Sequence, residues 1–141
     1  MISAVAGLIA GLWAADVFLA RVQDRELSGQ ARSDYAGGVR LLAENRPAEA
    51  ADALRKAYDL DRTNSSYELR LAEALLADGK LDEAAGSLAD VLERSPNNGE
   101  ANLLEARLIA SEGKFDEAVS YYHRAIYGIW REDPQARTLA A

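Results

Sequence analysis

Apolar residues recur three and four positions apart in three stretches of the chain, and a second patterned stretch follows each. The upstream sets are Val39, Leu41 and Leu42; Leu69, Leu71, Leu75 and Leu76; and Leu103, Leu104, Leu108 and Ile109. That spacing gathers the apolar side chains on one helix face. The downstream segments read "NRPAEAADALRKAYDLD" from Asn45, "GKLDEAAGSLADVLERSP" from Gly79 and "GKFDEAVSYYHRAIYGIW" from Gly113. They align without a gap at a spacing of 34 residues, so that Ala50, Ala84 and Ala118 share one phase. Leu54, Leu88 and Tyr122 share another, and Ala57, Val91 and Ala125 a third. Gly79 and Gly113 break the chain between paired helices, and Pro47 stands where a first turn tolerates it. The predicted unit is helix, short turn, helix, three times over. Alanine lets two backbones approach, and the bulkier residue four positions later fills the space towards the next repeat.

The opening of the chain has a different pattern. Residues 3 to 20, "SAVAGLIAGLWAADVFLA", contain one Asp and no other charged side chain. As a helix, residues 2 to 20 would reach about 28 Å, close to the hydrocarbon thickness of a bilayer. The run is apolar all round, whereas the repeat helices are amphipathic. A single-pass membrane anchor is therefore the first expectation. A buried or partner-bound soluble helix is second, and a cleaved signal is last, because no basic residue precedes the run and no good cleavage site follows Leu19. Ser3, Gly7, Gly11 and Ala15 form a stripe of small residues, which with Asp16 is the candidate surface for packing against another membrane helix. Arg21, Arg25 and Arg32 follow the run, which by the positive-inside rule places the repeats weakly on the cytoplasmic side.

The repeat unit resembles the tetratricopeptide repeat family, on the in-phase Ala50, Ala84 and Ala118 and on "G-K-[LF]-D-E-A" at Gly79 and Gly113. The resemblance covers Ala31 to about Glu132 and implies an all-α fold, a helical-hairpin solenoid of three repeats behind one hydrophobic, membrane-spanning helix. The implied division is 1–21 for the apolar helix, 22–30 for a hydrophilic connector, and 31–64, 65–98 and 99–132 for the repeats. Residues 133–141 would start a further or capping helix, since an uncapped end leaves Ile126, Ile129 and Trp130 partly bare. Asp34, Glu68 and Asn102 depart from the family, which often has a large aromatic there, and of its closing prolines only Pro96 is present. First helices in this family line a concave groove, and carrying that geometry over places Tyr35, Val39, Leu69, Arg70, Glu73, Leu103 and Arg107 on or near it. The carboxylate clamp of chaperone-binding members finds no match at Tyr35, Val39, Arg70, Glu100 or Leu104.

Charge and composition narrow the function. A net charge of −7 and a pI of about 4.7 argue against a nucleic-acid partner. There is no cysteine and one histidine, His123, expected to face solvent, so neither the usual zinc site nor a catalytic triad can be assembled. "DGK" and "EGK" lack the glycine spacing of a phosphate loop. The pairs Asp82-Glu83 and Asp116-Glu117 open helices, where they favour the positive end of the dipole. No enzyme, metal, cofactor or small-molecule substrate is expected. The expectation is a membrane-anchored interaction scaffold, an accessory subunit or assembly factor whose protein partners include integral membrane subunits. The alternative is a soluble adaptor or homo-oligomer whose first helix packs on a partner or in its groove.

Overall fold

The computed structural model describes the backbone of residues 2–130 and the side chains from Trp13 onward. Six helices follow one another: α1 (Ile2–Ala43), α2 (Pro47–Leu60), α3 (Ser65–Ala77), α4 (Leu81–Arg94), α5 (Gly99–Ser111) and α6 (Phe115–Ile126). The C-terminal part of α1 pairs with α2, α3 with α4, and α5 with α6. The hairpins then stack, α2 against α3 and α4 against α5, with α3 also touching α5.

The three tight turns inside the hairpins share one construction. Asn45, Gly79 and Gly113 all adopt positive φ, at 57°, 78° and 81°. In each, the next amide reaches back five residues and the turn residue's amide reaches back three. Arg46 N donates to Leu41 O at 2.9 Å and Asn45 N to Leu42 O at 3.0 Å, and the same pair recurs at Lys80/Gly79 and Lys114/Gly113. This double bond satisfies helix-terminal carbonyls and reverses the chain within three residues. Glycine enters the left-handed region without cost and asparagine at a modest one, which is why a residue without the glycine signal makes the first turn.

The helix starts divide into two kinds. Asn64 and Asn98 cap α3 and α5 through side-chain oxygens that accept from Ser66 N and Ala101 N. The second helices α2, α4 and α6 have no side-chain cap but carry Glu49, Asp82 and Glu83, and Asp116 and Glu117 in their first turns. Those acids offset the exposed amides electrostatically. Ala50, Ala84 and Ala118 are all buried at the hairpin crossings. Leu54 and Leu88 are fully buried as well, but Tyr122, in the same phase, is 38% exposed.

The stretch 22–30, expected as a connector, is helical and continuous with both flanks in α1. Its polar residues support a helix: Ser28 Oγ donates to Asp24 O at 2.7 Å, Gln30 Nε2 to Asp34 Oδ2 at 3.1 Å, and Arg32 Nε to Ser28 O at 3.1 Å. Among the described residues no helix is long and apolar enough to cross a membrane. The expected spanning helix therefore has no support here. Of the expected run only Trp13 to Ala20 has described side chains, Asp16 among them, and Arg21, Asp24, Arg25 and Glu26 follow directly after it. The side chains of Ser3, Gly7 and Gly11 lie outside the described residues, as does all of 133–141, while Ala15 and Asp16 are exposed.

Candidate protein-interaction surface

The seven residues expected at the groove separate into core and surface. Tyr35 and Leu69 are buried, and the Tyr35 ring lies 4.8 Å from that of Tyr67, so both hold hairpins together. Val39, Glu73 and Leu103 are half-buried and Arg107 is exposed. Arg70 sits among them with its guanidinium 2.7 Å from Glu73 and 2.6 Å from Glu100. Burial opposes its charge, but Glu100 and Glu73 outweigh that and raise its pKa above the usual arginine value. Arg70 is therefore a fixed cation already neutralised by two acids, and it ties the second repeat to the third. Glu100 was not foreseen. Its sequence signal is an acid in the first turn of the next helix, across the stack from Arg70.

A second polar set, deeper in the stack, occupies the phase where the family often carries a large aromatic. Glu68 is 1% exposed and accepts from Tyr58 Oη at 3.1 Å and from the guanidinium of Arg94. Burial, then the bond to Glu68, raises the Tyr58 pKa, while Arg94 is raised by its hydrogen bond to Glu68. One carboxylate thus joins α2, α3 and α4. In the next repeat Asn102, also buried, donates to Pro96 O at 2.9 Å and Asn98 O at 2.7 Å, and so holds the interhelix loop instead. A buried polar residue in this phase is tolerated because the Glu68 carboxylate and the Asn102 amide nitrogen have partners within reach, while Asn102 Oδ1 accepts no hydrogen bond from the described residues.

The chain beyond α6 folds back on its own repeat. Ile129 N donates to Asn97 O at 2.7 Å and Gly99 N to Ile129 O at 2.9 Å, while Trp130 Nε1 donates to Ala125 O at 2.9 Å. The indole lies over Gly99, where a Cβ would come within 2.5 Å of Trp130 Nε1, so glycine is what lets the strap close. His123 is exposed as expected, its ring 4.8 Å from Tyr127. Among the described residues no group of histidine and acid side chains could hold a metal ion.

Residues 41–108, from the end of α1 through most of α5, match the tetratricopeptide repeat family. This stretch carries tetratricopeptide repeats. Its hairpins superpose on the solved structure of MamA MSR-1 C2 with a TM-score of 0.60 at 24% identity, over 68% of this chain and 55% of that one. A MamA point mutant gives a TM-score of 0.61, also at 24% identity, over 73% of this chain and 77% of that one. The match thus spans little more than half of the first structure's length, and at this identity the likeness is one of fold. No protein of curated function matches the chain. Tetratricopeptide folds serve in general as scaffolds for protein interaction.

Proposed function

We propose that this repeat protein is a non-catalytic scaffold that holds a protein partner on its row of first helices, with the N-terminal part of α1 as a separate docking arm. The observation that carries this reading is the stack itself: three hairpins set α1, α3 and α5 side by side, and Val39, Glu73, Leu103 and Arg107 remain accessible along that row. Arg70 is not a free anchor for a partner carboxylate, because Glu73 and Glu100 already hold it. The arm presents Trp13, Phe18 and Leu19 with more than half of each exposed, together with Val22 and Leu27. Apolar side chains in such number along one helix favour burial against another protein. The proposed division keeps repeats at 31–64, 65–98 and 99–132 behind this arm.

A second reading makes the arm a membrane anchor of a complex subunit. Its support is the run from Ser3 to Ala20, with one charge in eighteen positions, and the small residues Ser3, Gly7, Gly11 and Ala15. The two readings separate in one experiment on the tagged intact chain, a Leu103→Glu/Arg107→Glu variant and a Trp13→Glu/Leu19→Glu variant. Membrane and soluble fractions are prepared, and co-purifying proteins are quantified. Loss of partners from the first variant supports the groove. Release of the second from carbonate-washed membranes supports the anchor, and a soluble intact chain that loses a partner only in the second supports the docking arm. Partners retained by both variants overturn the scaffold reading.

A further inference from the structure

The end of α6 departs from the pattern of α2 and α4 at one pair of backbone groups. Asp61, Ser95 and Ile129 stand 34 residues apart in the sequence, and so do Ala57, Val91 and Ala125. Asp61 N donates to Ala57 O at 3.2 Å and Ser95 N to Val91 O at 2.8 Å, the bonds that finish α2 and α4. Ile129 N goes instead to Asn97 O at 2.7 Å, and Ala125 O accepts from Trp130 Nε1 at 2.9 Å and from Gly128 N at 3.3 Å. An amide has one hydrogen to donate, so the strap and a helical ending compete for Ile129 N. Helix α6 accordingly stops after 12 residues, where α2 and α4 each run for 14.

Two glycines admit the strap's pairing. A Cβ on Gly128 would lie 2.7 Å from Gly99 Cα and 2.9 Å from Asn97 O, and a Cβ on Gly99 would run into the Trp130 indole. The corresponding residues of the preceding repeat are Arg94 and Ser65, so neither glycine belongs to the repeat pattern. Each stands where strap and loop meet too closely for a side chain. Gly128 also weakens the competing ending, because glycine is a poor helix former. Gly99 N returns a bond to Ile129 O at 2.9 Å, which ties the end of α6 to the α4–α5 loop across the whole third hairpin. We infer that residues 127–130 are a two-state latch. Closed, it is the strap, which turns the chain off the path by which α4 leads into α5. Open, it adds two residues to α6 and returns Ile129 N to Ala125 O. Ile129 is 67% and Trp130 51% exposed, so opening uncovers little apolar surface and the pairing of a few polar groups decides between the states.

Heteronuclear NMR of the intact chain tests this. In the unaltered protein the Trp130 indole N–H should be protected from exchange, and the Cα shifts of Gly128 and Ile129 should be non-helical. Gly99→Ser/Gly128→Arg gives these positions the residues of the preceding repeat. It should cut the indole protection by about 10-fold, the loss of one or two net hydrogen bonds, and move the Cα shifts of residues 127–129 to helical values. Trp130→Phe keeps a ring over Gly99 but has no N–H for Ala125 O, and should move the same shifts part of the way. An unprotected indole in the unaltered chain overturns the proposal, as does protection that survives Gly99→Ser/Gly128→Arg. Loss of the strap with residues 127–129 left non-helical also overturns it, because the end would then fray without a second state. Unmoved shifts in Trp130→Phe do the same, since Ala125 O would then not be contested.

Discussion

Helices α4 and α6 are built on one plan and differ in what lies outside them. Both follow a glycine turn, start with two acids and bury an alanine at the crossing with the first helix of the hairpin. Leu88 of α4 is nevertheless fully buried, whereas Tyr122 in the same phase is 38% exposed, because α5 covers α4 and no described element covers the outer face of α6. A hairpin of this kind completes only one face of its second helix. The other depends on what stacks next, which is how a repeat protein transmits stability along its length.

Removing the same kind of side chain from the two helices gives the largest contrast. Leu88→Ala empties a fully enclosed site and should cost about 3 kcal/mol, whereas Tyr122→Ala should cost under about 1 kcal/mol, read from urea unfolding of dilute protein. The turns give a smaller effect. Gly79→Ala forces a Cβ into a φ of 78° and should cost about 1 to 2 kcal/mol, while Asn45→Gly should be neutral or slightly stabilising by the same assay.

The strap gives a spectroscopic contrast with little change in stability. Gly99→Ala places a Cβ against Trp130, so in a Trp13→Phe background the emission of Trp130 should shift to the red as the indole leaves Gly99 and Ala125 O. An unshifted spectrum would show that the strap closes without glycine. The smallest effect is electrostatic. Burial, with Glu112 and Glu117 nearby, holds the Glu105 carboxyl above the ordinary carboxylate range, and its Oε2 accepts no hydrogen bond from the described residues. The folded state therefore binds this proton more tightly than the unfolded chain, and stability falls as pH rises from the unfolded value of about 4.3 through the folded one. Glu105→Gln should raise the melting temperature at pH 7, with the gain vanishing below about pH 4, where both forms are neutral.

The hairpins were legible because their signals are local and repeated: an alanine every 34 residues, a glycine before each of two second helices, and apolar positions at helical spacing. The first turn was placed by alignment rather than by its own residue, since Asn45 does the work of a glycine. The continuity of α1 was not legible. "VQDRELSGQ" has the composition of a linker, yet its polar groups fall four residues apart and bond along the helix. The groove was legible only in part, because periodicity puts Tyr35 and Leu69 on an apolar face without saying whether a neighbouring helix or a partner covers it. Their burial follows from the stacking of hairpins, a tertiary fact. The Arg70–Glu100 and Glu68–Arg94 pairs were hidden for the same reason, since each joins helices distant in sequence.

Helix α4 is covered by α3 and α5, whereas no described element covers the outer face of α6. Hydrogen exchange of the intact chain in dilute solution, read helix by helix, measures that difference. Slow exchange in α4 and faster exchange in α6 are expected in dilute solution. An α6 as protected as α4 in dilute solution would contradict it, because its outer face would then already be covered.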